Sequence, residues 1–151
     1  MGNTNALYQE VKADLAAVSG PLFDLARKHI ADLGGFLPFG ATLSKDGKLS
    51  LYAGATDKEK ASSVEILPLV HAGLRHAATQ DAARALGVCE WVKITLKDGT
   101  QSDAIKVLVE HSKGCAFRFY VPFSKRLFRG WRFGDMMVLG AEPEICAWKV
   151  G

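Results

Sequence analysis

Residues 88–122 read VCEWVKITLKDGTQSDAIKVLVEHSKGCAFRFYVP. Three segments with alternating apolar residues are separated by two short turn sequences, KDGT at residues 97–100 and SKG at residues 112–114. Alternation with a period of two is typical of half-buried strands, and an Asp-Gly pair suits the positive φ angles of a tight hairpin turn. The stretch therefore predicts a three-stranded antiparallel meander. A sheet of this kind hosts many unrelated activities, so it indicates a fold class but no reaction.

The predicted meander should present one face of each strand to the helices, because side chains alternate across a strand. The residues expected on this inner face are Val88, Glu90, Val92, Ile94 and Leu96 on the first strand, Ile105, Val107 and Val109 on the second, and Cys115, Phe117, Phe119 and Val121 on the third. Glu90 falls among them, and a buried carboxylate needs a partner. The alternative is that Glu90 lies at the frayed end of its strand and reaches water.

Helical and hairpin patterns precede the meander. Residues 4–33 carry apolar residues at spacings of three and four, and SGP at residues 19–21 predicts a break into two helices because proline lacks an N–H and clashes with the preceding turn. Residues 36–53 predict a β-hairpin with an Asp-Gly pair at its centre. Residues 63–85 predict a long helix, in which Pro68 indicates a kink or a later start.

The order of these elements indicates one α+β domain over residues 1–151. We predict a two-layer fold with an antiparallel sheet of five to six strands and the helices packed on one face. After the meander, residues 131–139 predict a sixth strand, and residues 145–150 a short seventh one. This order of elements, carried by no individual motif, is similar to that of the profilin-like and the roadblock or longin-like scaffolds. The resemblance implies a scaffold used for dimerisation and partner docking.

Size and composition are those of a folded globular domain. The chain has 151 residues, of which 48% are hydrophobic and 23% charged, so a single core is sufficient and disorder is excluded. No apolar run approaches the roughly 18 residues needed to cross a bilayer, and no secretory signal begins the sequence. Ala6 occupies the place where a myristoylation signal needs Ser or Thr. We therefore predict a cytoplasmic protein that does not bind membranes.

The three cysteines are widely spaced and form no Cys-x-x-Cys pair, so we expect reduced thiols. A nucleophilic cysteine needs a nearby histidine, and His111 with Cys115 is the most suggestive combination. Strand alternation places Cys115 on the core face, where a free cysteine behaves as a small apolar group. On a helix, the spacing of His71 and His76 prevents a shared metal face, and His71 is interpreted as a core histidine bonded to the backbone.

Paired carboxylates are a further possibility, because Glu90, Asp103, Glu110 and Asp135 could converge on a face of the sheet. The glycine-rich stretches match neither a dinucleotide fingerprint nor a phosphate loop. We therefore expect no metal and no cofactor, and the sequence specifies no small-molecule ligand.

The basic, aromatic segment at residues 123–133 (FSKRLFRGWRF) is the best candidate for function. The net charge of the chain is +3, and this segment contains four cations and no acid. Cations attract phosphates or acidic proteins, and aromatic rings can stack on bases or anchor a partner. The predicted binding residues are Lys125, Arg126, Phe128, Arg129, Trp131 and Arg132. The alternative interpretation is a long hairpin whose aromatics fill the core and whose Arg and Lys residues face solvent.

These patterns predict a non-enzymatic protein-binding or self-associating module, of the small cytosolic class found in bacteria, whose partner is another protein or a second copy in a homodimer. One alternative is RNA or single-stranded nucleic-acid binding through residues 123–133. Another is a small hydrolase or transferase whose site is assembled only in three dimensions, with Glu90, His111 and Cys115 as candidates.

Overall fold

The computed structural model of the protein describes residues 4–54, 62–80 and 83–148. Within these residues the chain forms two helices and seven strands. They are α1 (Thr4–Leu33), β1 (Phe39–Leu43), β2 (Leu49–Ala53), α2 (Ser63–Gln80), β3 (Ala85–Thr95), β4 (Gln101–His111), β5 (Cys115–Arg126), β6 (Gly130–Phe133) and β7 (Met137–Ala141).

The strands form one antiparallel sheet in the order β2-β1-β3-β4-β5-β6, with β7 pairing with β5 beside β6. The predicted hairpin is β1 and β2, and the predicted meander is β3, β4 and β5, so both predictions are confirmed. Gly47, Gly99 and Gly114 in the three turns have positive φ angles of 86°, 85° and 84°. Glycine adopts such angles without the clash that a Cβ atom would cause.

The two helices lie on opposite faces of the sheet. α1 packs on β1, β3 and β4 in one core cluster, whereas α2 packs on β1, β2 and β3 and belongs to a second cluster. The predicted α+β class, with helices packed against an antiparallel sheet, is confirmed. The structure has seven strands where we predicted five to six, and a helix on each face where we predicted a single helical layer.

Continuous burial of the central strands explains why both faces are covered. All five residues of β1 and the first five of β3 are buried. A strand that faces water on one side alternates between apolar and polar residues, whereas a strand buried on both sides is a continuous apolar run. The sequences FGATL in β1 and ALGVC in β3 are runs of this second kind, so they require one helix above the sheet and another below it.

Within the meander, the predicted inner face is right for β4 and β5 and wrong for β3. The predicted β4 and β5 residues all belong to the cluster that contains α1. On β3, Cys89 pairs with Val107 and lies on this face, whereas Val88 packs in the cluster of α2. Alternation then places Glu90 on the α2 side. The error arose because both faces of this part of β3 are apolar, so alternation gave no preference.

α1 runs without interruption through Pro21, so the predicted break at residues 19–21 is wrong. A proline inside a helix costs roughly 3 kcal/mol, because it removes one hydrogen bond and clashes with the preceding turn. Val18 and Leu22 on either side of it are fully buried against the sheet. Burial of such side chains stabilises by about 1.5–3 kcal/mol each, which offsets the cost of the proline.

α2 ends earlier than predicted. The helix begins at Ser63, before Pro68, and ends at Gln80, and Ala85 is already the first residue of β3. Ser62 caps the helix, because its Oγ accepts a hydrogen bond from the Glu65 N–H at 3.4 Å. The boundary was missed because alanine fits a helix and a buried strand equally well.

β5 continues through Pro122 to the residues that pair with β6. The pairs Phe123↔Phe133 and Tyr120↔Met137 leave three residues of the outer chain opposite two of β5, which is a β-bulge. Gly134 N–H donates to the Pro122 carbonyl at 2.7 Å at this point. Because the nitrogen and carbonyl of a strand residue point to the same edge, the missing N–H of the proline falls at the bulge, where prolines are tolerated.

Gly87 allows α1 to approach β3 closely. A Cβ atom at this position would lie 2.6 Å from Val18 Cγ1 and 2.9 Å from Leu22 Cδ1. We expect Gly87→Ala to lower the free energy of unfolding by about 1–3 kcal/mol, because it overpacks this contact. Urea denaturation followed by circular dichroism measures the change.

Gly73 provides the control, because a Cβ atom there meets open space on α2. Gly73→Ala should raise the free energy of unfolding by about 0.5–1 kcal/mol, as expected for an exposed helix interior. Equal stabilities of the two variants would contradict the close approach of α1 to β3.

Candidate functional site

The basic segment at residues 123–133 forms the end of β5, a tight turn and β6, and we name it the basic hairpin. β5 and β6 pair antiparallel from Phe123↔Phe133 to Arg126↔Gly130. The three residues between Arg126 and Gly130 form the tip. In the order of strands, the basic hairpin lies at the opposite side of the sheet from β2.

The tip of the basic hairpin exposes two large apolar side chains. Leu127 is 84% exposed and Phe128 is 98% exposed. Arg129 N–H donates to the Arg126 carbonyl across the turn at 3.4 Å, and Phe128 has a φ of 66°. Phe128 therefore occupies the third position of the turn, where a positive φ favours glycine. The chain holds a bulky side chain in a strained backbone conformation, although almost none of that side chain packs against the described residues.

The other aromatic residues of the basic hairpin pack beneath it. Phe123 is buried, and its ring centroid lies 5.9 Å from that of Trp131 and 6.1 Å from that of Phe133. Trp131 is half-buried, with Lys125 Nζ 5.7 Å from its ring centroid. The interpretation that the aromatics fill the core therefore holds for these three rings and fails for Phe128.

Four exposed cations surround the tip on both faces of the basic hairpin. They are Lys125, Arg126, Arg129 and Arg132. Lys125 pairs with Trp131 and Arg132 pairs with Ser124, so alternation places Lys125 and Arg132 on opposite faces. Among the residues that the structure describes, none of the four forms an ion pair. All six residues predicted as a binding site thus lie on one hairpin, where only Trp131 is substantially covered.

The three residues considered for catalysis, Glu90, His111 and Cys115, do not form one site. His111 lies directly opposite Cys115 in the β4–β5 register, on the side of the sheet that α1 covers. Glu90 lies on the other side and pairs with Lys106, whose Nζ is 3.5 Å from its carboxylate. The sheet itself therefore separates Glu90 from the other two side chains, and Glu90 is neither at a frayed end nor without a partner.

Both ring nitrogens of His111 are engaged. Nδ1 accepts the Lys113 N–H at 3.1 Å, so the proton of the neutral ring is on Nε2, which donates to Asp14 at 2.8 Å. The same carboxylate of Asp14 forms an ion pair with Arg84 at 3.3 Å. A general base needs a free lone pair directed at the thiol. His111 has none for Cys115, and it ties α1 to the end of β4 instead.

The three cysteines are unpaired, and burial raises the pKa of each thiol. The pKa of Cys89 lies well above its ordinary value. For Cys146, the negative charge of Glu110 raises the pKa further. Because the thiolate is the nucleophile, a raised pKa makes a cysteine less reactive at neutral pH. None of the three thiols is activated.

The four carboxylates that were considered as paired acids lie in different parts of the sheet. Asp103 accepts a hydrogen bond from Trp91 Nε1 at 3.1 Å on the α1 side of the sheet. Asp135 belongs to the bulge before β7. Glu90 and Glu110 share the α2 side, but Glu90 is paired with a lysine in the middle of β3, and Glu110 lies near the end of β4. No acid-base pair is formed among them.

Glu110 has a structural role that the sequence did not predict. It is fully buried, and its carboxylate accepts four hydrogen bonds. The donors are the N–H groups of Glu144, Ile145 and Cys146 at 2.8, 2.7 and 3.0 Å, and Nε1 of Trp148 at 3.1 Å. These N–H groups are therefore used by a side chain, so the part of the predicted seventh strand at residues 145–148 is not a strand. Residues 149 and 150 of that prediction lie outside the described residues.

An apolar cavity of about 730 Å³ lies between the end of α1, the following loop and β2. Among the described residues that line it, His29 and Tyr52 provide the only side chains with polar groups. The His29 ring meets the edge of Phe39, with centroids 6.0 Å apart. The described residues that line the cavity include neither a thiol nor a carboxylate.

The remaining histidines form no site. His71 is half-buried, and its Nε2 atom has no hydrogen-bond partner among the described residues, so the predicted bond to the backbone is not made at that nitrogen. His76 is exposed. In the described parts of the chain, no group of three or more His, Cys, Asp or Glu side chains could hold a metal ion.

Comparison with protein-family models, curated proteins and solved structures gives no match for this chain. The resemblance to docking scaffolds in element order therefore stays a prediction. Neither helix of the described residues has an apolar stretch that could reach across a bilayer.

We expect Glu110→Gln to lower the free energy of unfolding by about 2–4 kcal/mol. A glutamine amide presents N–H groups to donors that need an acceptor, so buried donors lose their partners. Urea denaturation measures the loss. In the control, Glu144→Gln removes the negative charge of an exposed ion pair with Arg118 at 3.5 Å. The free energy of unfolding should then change by no more than about 0.5 kcal/mol. Similar losses in both variants would contradict the role of Glu110.

We also expect iodoacetamide to alkylate Cys115 at pH 8 at least about tenfold more slowly in the folded protein than in urea, because burial raises the pKa of this thiol and limits access. Mass spectrometry of timed samples measures the rate. If His111 activated the thiol, His111→Gln would slow the reaction in the folded protein, and that outcome would contradict the absence of a dyad.

Proposed function

We propose that the protein is a non-enzymatic protein-binding module that binds its partner through the basic hairpin. One observation carries the proposal: Leu127 and Phe128 are 84% and 98% exposed at the tip, inside a ring of four exposed cations. Exposed apolar anchors beside arginines are typical of the residues that dominate binding energy at protein interfaces. Support also comes from Phe128, because strained backbone with an exposed bulky residue is typical of functional positions.

The chemistry of the tip specifies the kind of partner. Lys125, Arg126, Arg129 and Arg132 require an acidic surface, and Leu127 with Phe128 requires an apolar pocket within it. Apart from these four cations, the charges of the chain nearly cancel, since the net charge is +3. We therefore propose a partner with an apolar pocket that is rimmed by Asp and Glu side chains.

A protein partner is favoured over a nucleic acid by the accessible side chains. Single-stranded nucleic acids bind on rows of aromatic rings, on which successive bases stack. In the basic hairpin only Phe128 offers a free ring, because Trp131 is packed against Phe123 and approached by Lys125. Leu127 is aliphatic and provides no stacking surface. An aliphatic and an aromatic side chain together fit an apolar pocket better than a row of bases.

In this proposal the protein acts in the cytoplasm and also associates with itself. Support for the compartment comes from the three unpaired cysteines, which are typical of reducing surroundings. Support for self-association comes from β2 and β7, whose outer edges pair with no other strand among the described residues.

Phe128→Gly separates binding from stability. Glycine adopts a positive φ without strain, so we expect the free energy of unfolding to stay the same or to rise by up to about 1 kcal/mol. Partner affinity should fall by about 30-fold, as for the loss of an interface anchor of about 2 kcal/mol. Arg129→Glu should reduce binding as well, and more so at low salt. Urea denaturation measures stability, and quantitative capture of partners from a lysate measures binding.

The matched control is Val64→Ser, which removes a side chain that is 84% exposed on α2. A partner that binds Phe128→Gly as well as it binds the parent would contradict the proposal. Titration with a short fluorescein-labelled oligouridylate provides the second arm. Binding whose logarithm falls with the logarithm of salt, by about 0.7 per phosphate contacted, would assign the basic hairpin to nucleic acid instead.

A further inference from the structure

β7 is an edge strand whose own five residues carry no protection against association, although a bulge precedes it and Glu142 and Pro143 follow it. Among the described residues it pairs only with β5, and its sequence MVLGA contains no charge and no proline. Its first four residues are exposed, and Met136 before them is exposed too. Natural edge strands are protected by lysine, proline, bulges or a covering element, and an edge without such protection is a template for another strand.

The strand at the other edge of the sheet, β2, is also without charge or proline, but it packs more closely on the core than β7 does. β2 begins directly after Lys48, and its residues Leu49 and Tyr52 are partly buried against the two core clusters. Its central residue, Leu51, is 57% exposed, the same fraction as Leu139 at the centre of β7. The two strands therefore differ in their surroundings and not in the exposure of their central leucine.

The charges along the outer edge restrict association to β7. Before the bulge, the edge belongs to the basic hairpin and carries Arg129 and Arg132. Two copies paired there would bring like charges together, which is destabilising. After the bulge, β7 carries no charge. Two identical chains can therefore meet along β7 without repulsion between the paired residues.

We propose that two copies of this chain pair antiparallel along β7, with the two-fold axis at Leu139. The inference deepens the self-association in the proposed function and uses a surface other than the basic hairpin. In this register Leu139 faces its own copy, Met137 faces Ala141, and Val138 faces Gly140. Met137 and Val138 are thus each opposite a small residue, and the two copies of Leu139 meet at the axis, so both halves of the interface are equivalent.

The same register favours a second copy over an unrelated extended peptide. A strand that pairs with itself must be complementary to its own reversed sequence, and β7 meets this condition because it has no charge and its outer residues combine large with small side chains. On the α2 side of the sheet, Met137 lies beside Tyr120 and Leu139 lies beside Arg118, so the apolar side chains of β7 are confined to the outer edge, where a second copy would cover them. The dimer would join the two sheets into one.

The dimer should be weak, because five paired residues a side are far fewer than the roughly 20–30 of a standard specific interface, and we expect a dissociation constant of about 100 µM. Analytical ultracentrifugation from about 1 µM to about 1 mM would detect it as a species with twice the monomer mass of 16.3 kDa. Hydrogen exchange at residues 137–141 should slow as the protein concentration increases, because the outer N–H groups become paired.

Leu139→Lys and Leu51→Lys form a matched pair for the test. Leu139→Lys places two ammonium groups opposite each other at the axis, so the dissociation constant should rise by at least about tenfold. Leu51→Lys adds the same charge to the opposite edge and should leave dimerisation unchanged. Circular dichroism confirms that both variants are folded.

Three outcomes would overturn the inference: a parent that stays monomeric throughout the concentration range, a dimer unaffected by Leu139→Lys, or a dimer that only Leu51→Lys disrupts. None of them would bear on the basic hairpin, since partner capture by the parent and by Phe128→Gly is measured separately. Conversely, loss of the dimer in Leu139→Lys with partner capture unchanged would support two independent surfaces.

Discussion

Burial of β1 and the first half of β3 on both faces explains the arrangement of the other elements. These strands have no polar side, so α1 and α2 must cover them from opposite sides. Gly87 lets α1 approach closely enough to do so, because a Cβ atom would overlap with Val18. Pro21 is tolerated within α1 because apolar side chains on either side of it are buried against the sheet, and this burial offsets the cost of the proline.

The two surfaces proposed for binding lie where the cover of the sheet ends. On the α2 side, residues 142–148 take the place of a helix and are held by the carboxylate of Glu110. β5 extends beyond this cover and pairs with β6 and β7 on its outer edge. The bulge divides that edge into a cationic half with an apolar tip and an uncharged half. The two proposed surfaces therefore lie along the same long strand, β5, and the extra residue of the bulge separates them.

Much of this architecture could be predicted from sequence because its signals are local. Asp-Gly and Lys-Gly turns between alternating segments predicted β1 to β5, and the four cations of the basic hairpin are contiguous in the chain. The exposed tip could not be predicted, because alternation along a strand does not say which residue of a turn adopts a positive φ. Glu110 was not recognised as an acceptor for a similar reason: its donors lie 34–38 residues later in the chain.

Residue patterns along the chain were sufficient to predict the α+β class, the strand order within the meander and the concentration of positive charge at residues 123–133. Each of these depends on neighbours within a few residues, where backbone sterics and side-chain periodicity act directly. The folded chain was needed to establish which face each helix covers, that Glu90 and His111 lie on opposite sides of the sheet, and that Phe128 faces solvent. Those outcomes depend on contacts between distant segments, because burial of a side chain is a property of what packs against it and not of its own chemistry.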